Sequence, residues 1–138
     1  MGWKSAGGKM TGEPLLIDTD VLIDYLRGLQ PAVEFLDLAE EPLLISAVTV
    51  AELYAGVREG VERITLDLFL NAFRLVTVDE EIAVVGGLFQ RDYRRSYSIA
   101  LPDALIAASA QVSKARLVTL NAKHFPMLAD VLVPYRKS

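Results

Sequence analysis

Short apolar runs alternate with longer segments of helical period along most of the chain. Runs rich in Leu, Ile and Val predict five strands, at Leu15–Ile17, Leu43–Ile45, Leu75–Val78, Leu117–Thr119 and Val131–Val133. The segments between them predict helices near Asp20–Arg27, Pro31–Ala39, Val48–Arg58, Glu62–Phe73, Glu80–Arg95 and Pro102–Ser113. Apolar strands that alternate with helices are typical of a parallel sheet covered on both faces. We therefore predict an α/β fold around a mainly parallel sheet of about five strands.

Acidic residues stand inside three of these apolar stretches. Asp18 directly follows the first strand, whereas Glu52 and Asp103 lie in helical segments with mostly apolar neighbours. A buried carboxylate is costly without a partner, and clustered carboxylates repel each other unless a cation lies among them. The pattern therefore predicts a metal-dependent enzyme. Asp18 is expected beyond the carboxyl end of its strand, where sheets of this type bind ligands.

Asp103 and the nearby Asp20 also have an ordinary structural explanation. Asp20 suits the N-cap of the first helix, and Asp103 follows Pro102 in a first helical turn, where any helix favours an acid. Glu52 has small or apolar residues one turn away on each side, which leaves room beside it for an ion or a phosphate. Asp18 has few structural uses at the end of a buried strand and is the strongest candidate.

Polar side chains also follow the fourth predicted strand. Asn121 ends this run and can bind a metal through its oxygen or hold a water, but an ordinary Asn in a turn is an equal alternative. His124 is the single His of the chain. A lone His is more often a surface or packing residue than a ligand or a base, and the sequence favours that interpretation.

Three arginines share one side of the Glu80–Arg95 segment. Arg91, Arg94 and Arg95 lie opposite an apolar stripe that should face the core. A charged helix face is usually just solvated, and that is the favoured interpretation here. The alternative is a weak RNA-binding surface, because Arg binds phosphate oxygens in a bidentate manner.

The composition narrows the class of protein. The chain has 138 residues, of which 52% are hydrophobic, and this fits one domain over residues 14–138 after a flexible N-terminal tail, residues 1–13. It has no Cys, which fits a reducing compartment such as the cytoplasm. No apolar run approaches the roughly 20 residues that span a bilayer. The net charge of −4 argues against a protein that coats nucleic acid, but it does not exclude a nuclease.

Four segments, in order and at the expected strands and helices, resemble the acidic motifs of the PIN-domain family, and most closely those of its VapC-type ribonuclease toxins. The segments are Leu16–Ile23, Thr49–Gly56, Leu101–Ala107 and Val118–Phe125, and the resemblance spans nearly all of Leu15 to Tyr135. It implies a three-layer α/β/α sandwich and an endoribonuclease that is the toxin of a type II toxin–antitoxin pair. It further implies a homodimer and inhibition by a small cognate antitoxin protein.

The resemblance also implies a site. Mg²⁺ or Mn²⁺ would be held by Asp18, Glu52 and Asp103, with Asn121 beside them, and the cation would assist hydrolysis of RNA phosphodiester bonds. Thr19, Asp20 and Thr119 would surround the ligands and hold them in place. Asn121 and His124 depart from the fourth motif, which often carries another acid and where Asp is common at the His124 position. Fewer negative ligands should weaken metal binding, and Asp20 is a candidate for the missing charge.

The sequence leaves two other functions open. Asp18-Thr19-Asp20 after an apolar strand also resembles the first motif of haloacid-dehalogenase-like phosphatases. That family has paired acids late in the chain, whereas only the separated Asp103 and Asp130 occur here. The other alternative is a PIN-fold binding module with weak or no catalysis. Retention of three costly acids argues against it.

Overall fold

Four short parallel strands form the centre of the computed structural model, which describes residues 12–137. The predicted tail falls mostly on residues 1–11, which lie outside the described residues. The strands are β1 (Leu15–Ile17), β2 (Leu43–Ser46), β3 (Arg74–Val76) and β4 (Arg116–Val118). Their order in the sheet is β3-β2-β1-β4, so the first two connections join neighbouring strands, the third joins the two edge strands, and each connection carries helices.

Six helices flank the sheet. They are α1 (Thr19–Leu26), α2 (Gln30–Leu38), α3 (Ala47–Ala55), α4 (Val61–Leu70), α5 (Glu80–Tyr97) and α6 (Leu101–Val112), and a 3₁₀ turn follows β4 at Ala122–His124. The predicted helices are confirmed with small shifts at their ends. Among residues 12–137, no helix is both long and apolar enough to cross a membrane.

Alternation of side chains along β1 divides the core into two layers. Leu15 and Ile17 face one layer, which contains apolar side chains of α1, α2, α3 and α4. Leu16 faces the other layer, together with Leu44, Leu117 and residues of α6. All three β1 residues are buried because each face is covered, as expected for a strand inside a parallel sheet. The predicted α/β/α sandwich is confirmed.

The fifth predicted strand is reduced to one bridge. Leu132 pairs in parallel with Val118, but the other residues of Val131–Val133 form no ladder. Pro134 follows directly and has no N–H to donate, so the pairing cannot extend along β4. The sheet therefore has four strands, and the C-terminal segment covers the outer edge of β4.

A close contact between α5 and α6 positions the helix that carries Asp103. At Gly86, an added Cβ would lie 2.6 Å from Leu105 Cδ2 and 3.2 Å from Leu105 Cα. A side chain at this position would therefore force the two helices apart. Glycine allows α6 to lie against α5 while its small residues pack on the sheet.

Candidate active site

The N-terminus of α1 places Asp18 at the carboxyl edge of the sheet. Its backbone N–H donates to Val118 O at 2.8 Å and continues the β1–β4 pairing by one residue. Its side chain is the helix N-cap and accepts from Thr19 N at 2.8 Å. Thr119 Oγ1 donates to the other carboxylate oxygen at 2.7 Å. Hydrogen bonds therefore fix both carboxylate oxygens of Asp18, which is buried and only 6% exposed.

Asp20 binds the loop after β4 rather than capping α1, so the N-cap prediction for it was wrong. Asp18 takes the cap because the helix already begins at Thr19. Asp20 Oδ2 accepts from Leu120 N at 3.0 Å and from Asn121 Nδ2 at 3.1 Å. The second bond leaves the amide oxygen of Asn121 available to another group.

Glu52 reaches the same place from α3. Thr19 Oγ1 donates to Glu52 Oε1 at 2.7 Å and lies 3.1 Å from Thr49 Oγ1, which is buried. Thr49 precedes Glu52 by three residues and therefore lies on the same face of α3. The Thr19 hydroxyl thus links α1 to α3 and fixes one carboxylate oxygen, while Glu52 itself stays exposed.

Asp103 lies in the first turn of α6 and is partly buried. His124, in the 3₁₀ turn, brings its Nδ1 to 3.7 Å from Asp103 Oδ2. The charge of the helix N-terminus also favours a carboxylate here. His124 is a surface residue, as the sequence favoured, and it also lies beside a candidate acid.

The electrostatics show that the acids share one region. Burial, and after it the charges of Asp20 and Asp103, raise the pKa of Asp18 to about 7, although hydrogen bonds from Thr119 and Thr19 act in the opposite direction. Burial also raises the pKa of Asp20. The pKa of Asp103 is raised by burial, opposed by His124, and raised further by Glu52 and Asp20. A nearby cation would remove this repulsion.

The donor set fits a hard divalent cation. Asp18, Glu52 and Asp103 supply carboxylate oxygens, the ligands that Mg²⁺ and Mn²⁺ prefer. Within residues 12–137, however, no three such side chains form a closed metal-binding group. An open arrangement suits Mg²⁺, because this ion keeps several waters and takes only one or two carboxylates plus substrate phosphates.

The structure separates Asp130 from these acids. Its carboxylate pairs with Arg116 Nη2 at 3.1 Å, and Arg116 is the first residue of β4. The start of a strand lies at the edge of the sheet opposite Asp18. Asp103 and Asp130 thus do not form the late acid pair that a haloacid-dehalogenase-like phosphatase requires.

The three arginines of α5 lie on the exposed surface near its C-terminal end. Since α5 ends at Tyr97 and α6 begins at Leu101, the ends that carry Arg95 and Asp103 are close along the chain. The guanidinium of Arg91 is already paired with Asp92, with Nε 2.8 Å from Oδ1.

A groove of about 600 Å³ opens beside Glu52 between α1, α3 and α4. Apolar side chains from the three helices line it together with two arginines and two glutamates, and the residues are Ile23, Leu26, Arg27, Glu52, Leu53, Gly56, Val57, Arg58, Glu62, Thr65 and Leu66. Among the apolar residues around α1 and α3, Leu22, Tyr25 and Leu53 are buried, whereas Leu26 and Leu29 are exposed.

Sequence reasoning missed several contacts that shape the site. Thr49 contacts the Thr19 hydroxyl, and the Leu120 N–H donates to Asp20. One turn further along α1, Asp24 binds Tyr135 and Lys137. The spacing of Asp24 four residues after Asp20 was the available signal, since it places both on one helix face. A backbone N–H leaves no trace in the sequence, so the Leu120 contact had none.

Comparisons with known proteins agree with this geometry. The family model described as PIN domain matches residues 15–130. The chain is 44% identical over 124 residues to ribonuclease VapC10 of Mycobacterium tuberculosis, covering 88% of this chain and 92% of the relative. It is also 44% identical over 126 residues to ribonuclease VapC19 of the same organism, covering 87% and 98%.

Solved structures show the same architecture. A chain of a toxin–antitoxin complex from Klebsiella pneumoniae superimposes with a TM-score of 0.78 at 28% identity, covering 89% of this chain and 99% of that one. A chain of FitAcB from Neisseria gonorrhoeae superimposes with a TM-score of 0.69 at 29% identity, covering 87% of this chain and 97% of that one. With the fold, the four motifs and the acidic edge in agreement, the chain belongs to the PIN domain family.

Proposed function

We propose that the chain is a metal-dependent endoribonuclease and the toxin of a type II toxin–antitoxin pair. The observation that carries this proposal is the meeting of four acids at the carboxyl edge, where hydrogen bonds hold Asp18, Asp20 and Glu52, and where Asp103 lies within range of their charges. Relatives with 44% identity are ribonucleases, and the structural neighbours include a toxin–antitoxin complex. Discrete fragments from mixed cellular RNA, produced by the purified chain with Mg²⁺ or Mn²⁺, would test it.

Asp18 and Asp103 are the main proposed metal ligands, with Glu52 as a third ligand or as the residue that orients water. A bound divalent cation would supply water activation and neutralise charge on the scissile phosphate. Thr119 donates to one oxygen of Asp18, and Thr19 donates to one oxygen of Glu52. Each carboxylate has further lone pairs that could bind a cation. Asn121 has its amide oxygen available for a water or for RNA.

His124 lies beside Asp103 at a position where an acid would add negative charge to the site. We expect His124→Asp to lower the Mg²⁺ concentration at half-saturation by about tenfold, because one more carboxylate strengthens binding of a hard cation. Isothermal titration of the metal-free protein with MgCl₂ measures this directly. His124→Asn, which adds no charge, is the matched control and should stay within about threefold of the parent. Equal affinities for all three proteins would exclude His124 from the metal environment.

The exposed arginines of α5 are the proposed, weaker RNA contacts. Arg94 and Arg95 have the better claim, because Arg91 is engaged by Asp92. Guanidinium groups near the α5–α6 junction would bind phosphates on either side of the cut. The arginines would thus lie near the acidic site, where a bound cation would offset the charge of the carboxylates.

The groove beside Glu52 is the proposed docking site of the cognate antitoxin. Its apolar lining, rimmed by charges of both signs, suits a partner segment with an apolar face. When the chain is co-expressed with the product of an adjacent short reading frame, we expect co-purification that Leu26→Glu and Val57→Glu abolish, since each would place a charge against the apolar face of the partner. Leu38→Glu alters a more exposed leucine, on α2 outside the groove, and should keep the complex. Loss of the complex in all three variants, or in none, would place the interface elsewhere.

Three further properties belong to the same proposal. We propose that residues 14–138 form one nuclease unit, that it assembles as a homodimer, and that it acts in the cytoplasm. Exposed apolar side chains outside the groove, among them Ile64, Leu68 and Val84, offer surface for self-association. A monomer mass by light scattering at micromolar concentration would exclude the dimer.

A further inference from the structure

A buried acid on α1 takes no part in the proposed chemistry. Asp24 is only 5% exposed, yet it lies one turn beyond the site. Tyr135 Oη donates to its Oδ2 at 2.8 Å, and Lys137 Nζ lies 2.8 Å from its Oδ1. Both partners come from the C-terminal segment, so this carboxylate fixes the end of the described chain to α1. A buried charge is retained at little cost only when it is paired in this way.

The C-terminal segment is also joined to the strand that supports the site. Leu132 N donates to Leu117 O at 2.9 Å, and Thr119 N donates to Leu132 O at 3.1 Å. These two bonds occupy the outer edge of β4. The hydroxyl of Thr119 donates to Asp18, and the N–H of the same residue donates to Leu132. Thr119 therefore links the C-terminal segment to the acid that follows β1.

The chain from residue 119 to residue 137 is therefore held on α1 at two points, one helical turn apart. At the first point, Asp20 accepts from Leu120 N and Asn121 Nδ2. At the second point, Asp24 accepts from Tyr135 and Lys137. Asp20 and Asp24 occupy the same face of α1 because they are four residues apart.

We propose that Asp24 is a positioning residue of the candidate active site, acting through the C-terminal segment. Its hold on Tyr135 and Lys137 keeps Leu132 on the edge of β4. That contact in turn keeps Thr119 and Leu120 at hydrogen-bond distance from Asp18 and Asp20. When the contacts with Asp24 are lost, the segment no longer restrains the two donors, Thr119 and Leu120. The carboxylates of the site then lose the orientation that the reaction needs.

The variant Tyr135→Phe/Lys137→Met tests this, because it removes both partners of Asp24 and nearly preserves side-chain volume. We expect the Thr119 and Leu120 amides to exchange with solvent at least about tenfold faster than in the parent, while amides of the β1–β2 ladder stay protected. Since the inference rests on the proposed function, RNA cleavage is the second readout. We expect kcat to fall about tenfold or more with KM within about twofold.

Two further proteins make the result decisive. Arg136→Met alters an exposed cation between the two partners and should match the parent in both measurements. If the double variant does not fold, the triple variant Asp24→Leu/Tyr135→Phe/Lys137→Met leaves no unpaired buried charge, and the same changes in exchange and kcat are expected.

Amide exchange and kcat like those of the parent would overturn the proposal, and so would faster exchange with an unchanged kcat or a lower kcat without faster exchange. If the parent itself cleaves no RNA, the proposed function fails. The exchange of Thr119 and Leu120 then still decides whether Asp24 holds the segment against the site.

Discussion

Replacing Asp18 or Asp103 by Asn lowers the rate of RNA cleavage by about 10³-fold, as expected for removal of a charged ligand from a metal-assisted reaction. Each substitution keeps the shape of the side chain and one acceptor oxygen, so Asp18 can still cap α1 and Asp103 can still stand in the first turn of α6. The negative charge that would hold the cation is lost. Initial rates on a defined RNA, at saturating Mg²⁺, measure the effect.

Asp130→Asn is the matched control for these variants. Asp130 is exposed and pairs with Arg116 at the opposite edge of the sheet, where a surface ion pair contributes little. Its rate should stay within about twofold of the parent. Cleavage by the Asp18 and Asp103 variants at the parental rate would mean that the activity comes from another site or another protein, and would favour the binding module.

The metal-free Asp18→Asn protein should be more stable than the parent at neutral pH. Because burial raises the pKa of Asp18 from 3.8 to about 7, the unfolded chain releases this proton at lower pH than the folded chain does. The parent therefore loses stability as the pH rises from about 4 to 7, relative to a variant that cannot ionise. The change from 3.8 to about 7 in the pKa of Asp18 sets an upper limit of about 4 kcal/mol on the difference in the free energy of unfolding between variant and parent.

Urea unfolding in EDTA at pH 4, 6 and 8 measures this difference. The free energies of unfolding of parent and Asp18→Asn should be similar at pH 4 and should separate by pH 8, with the variant higher. Saturating Mg²⁺ should then stabilise the parent more than the variant, because ligand binding to the folded state adds stability. A parent that gains stability relative to the variant between pH 4 and pH 8 would contradict the raised pKa.

Most of the architecture could be predicted because it depends on local patterns. Continuous apolar runs identify buried strands, and helical spacing with Gly28 or Pro102 near the ends identifies helices. A full strand at Val131–Val133 does not form, because strand pairing also depends on the neighbouring residues. The apolar run is genuine, but Pro134 limits the pairing to Leu132.

The candidate site could be predicted in its members but less well in its connections. Asp18, Glu52 and Asp103 are conspicuous because acids are rare in apolar surroundings. One oxygen of Asp20 accepts from the adjacent Val21 N, but the partners of the other lie about 100 residues further along the chain, at Leu120 and Asn121. Such contacts depend on β4 lying next to β1, which no local pattern contains, and the cap rule alone therefore assigned Asp20 the wrong role.

The site also explains why binding to a partner alone is a poor account of this chain. Asp18 and Asp20 are both held with raised pKa values in a partly buried region, which costs stability in the absence of a cation. A surface that only docks a protein has no need of this arrangement. The groove proposed for docking contains neither Asp18 nor Asp20 in its lining.

The most direct test is the cleavage of a defined RNA by the purified parent in Mg²⁺, after addition of EDTA, and again after excess Mg²⁺ is restored. We expect discrete fragments in the first condition, loss of cleavage in the second and recovery in the third, with Asp18→Asn about 10³-fold slower than the parent in the first and third. Cleavage that persists in EDTA, or that Asp18→Asn performs equally well, would contradict a metal-dependent ribonuclease site at these acids.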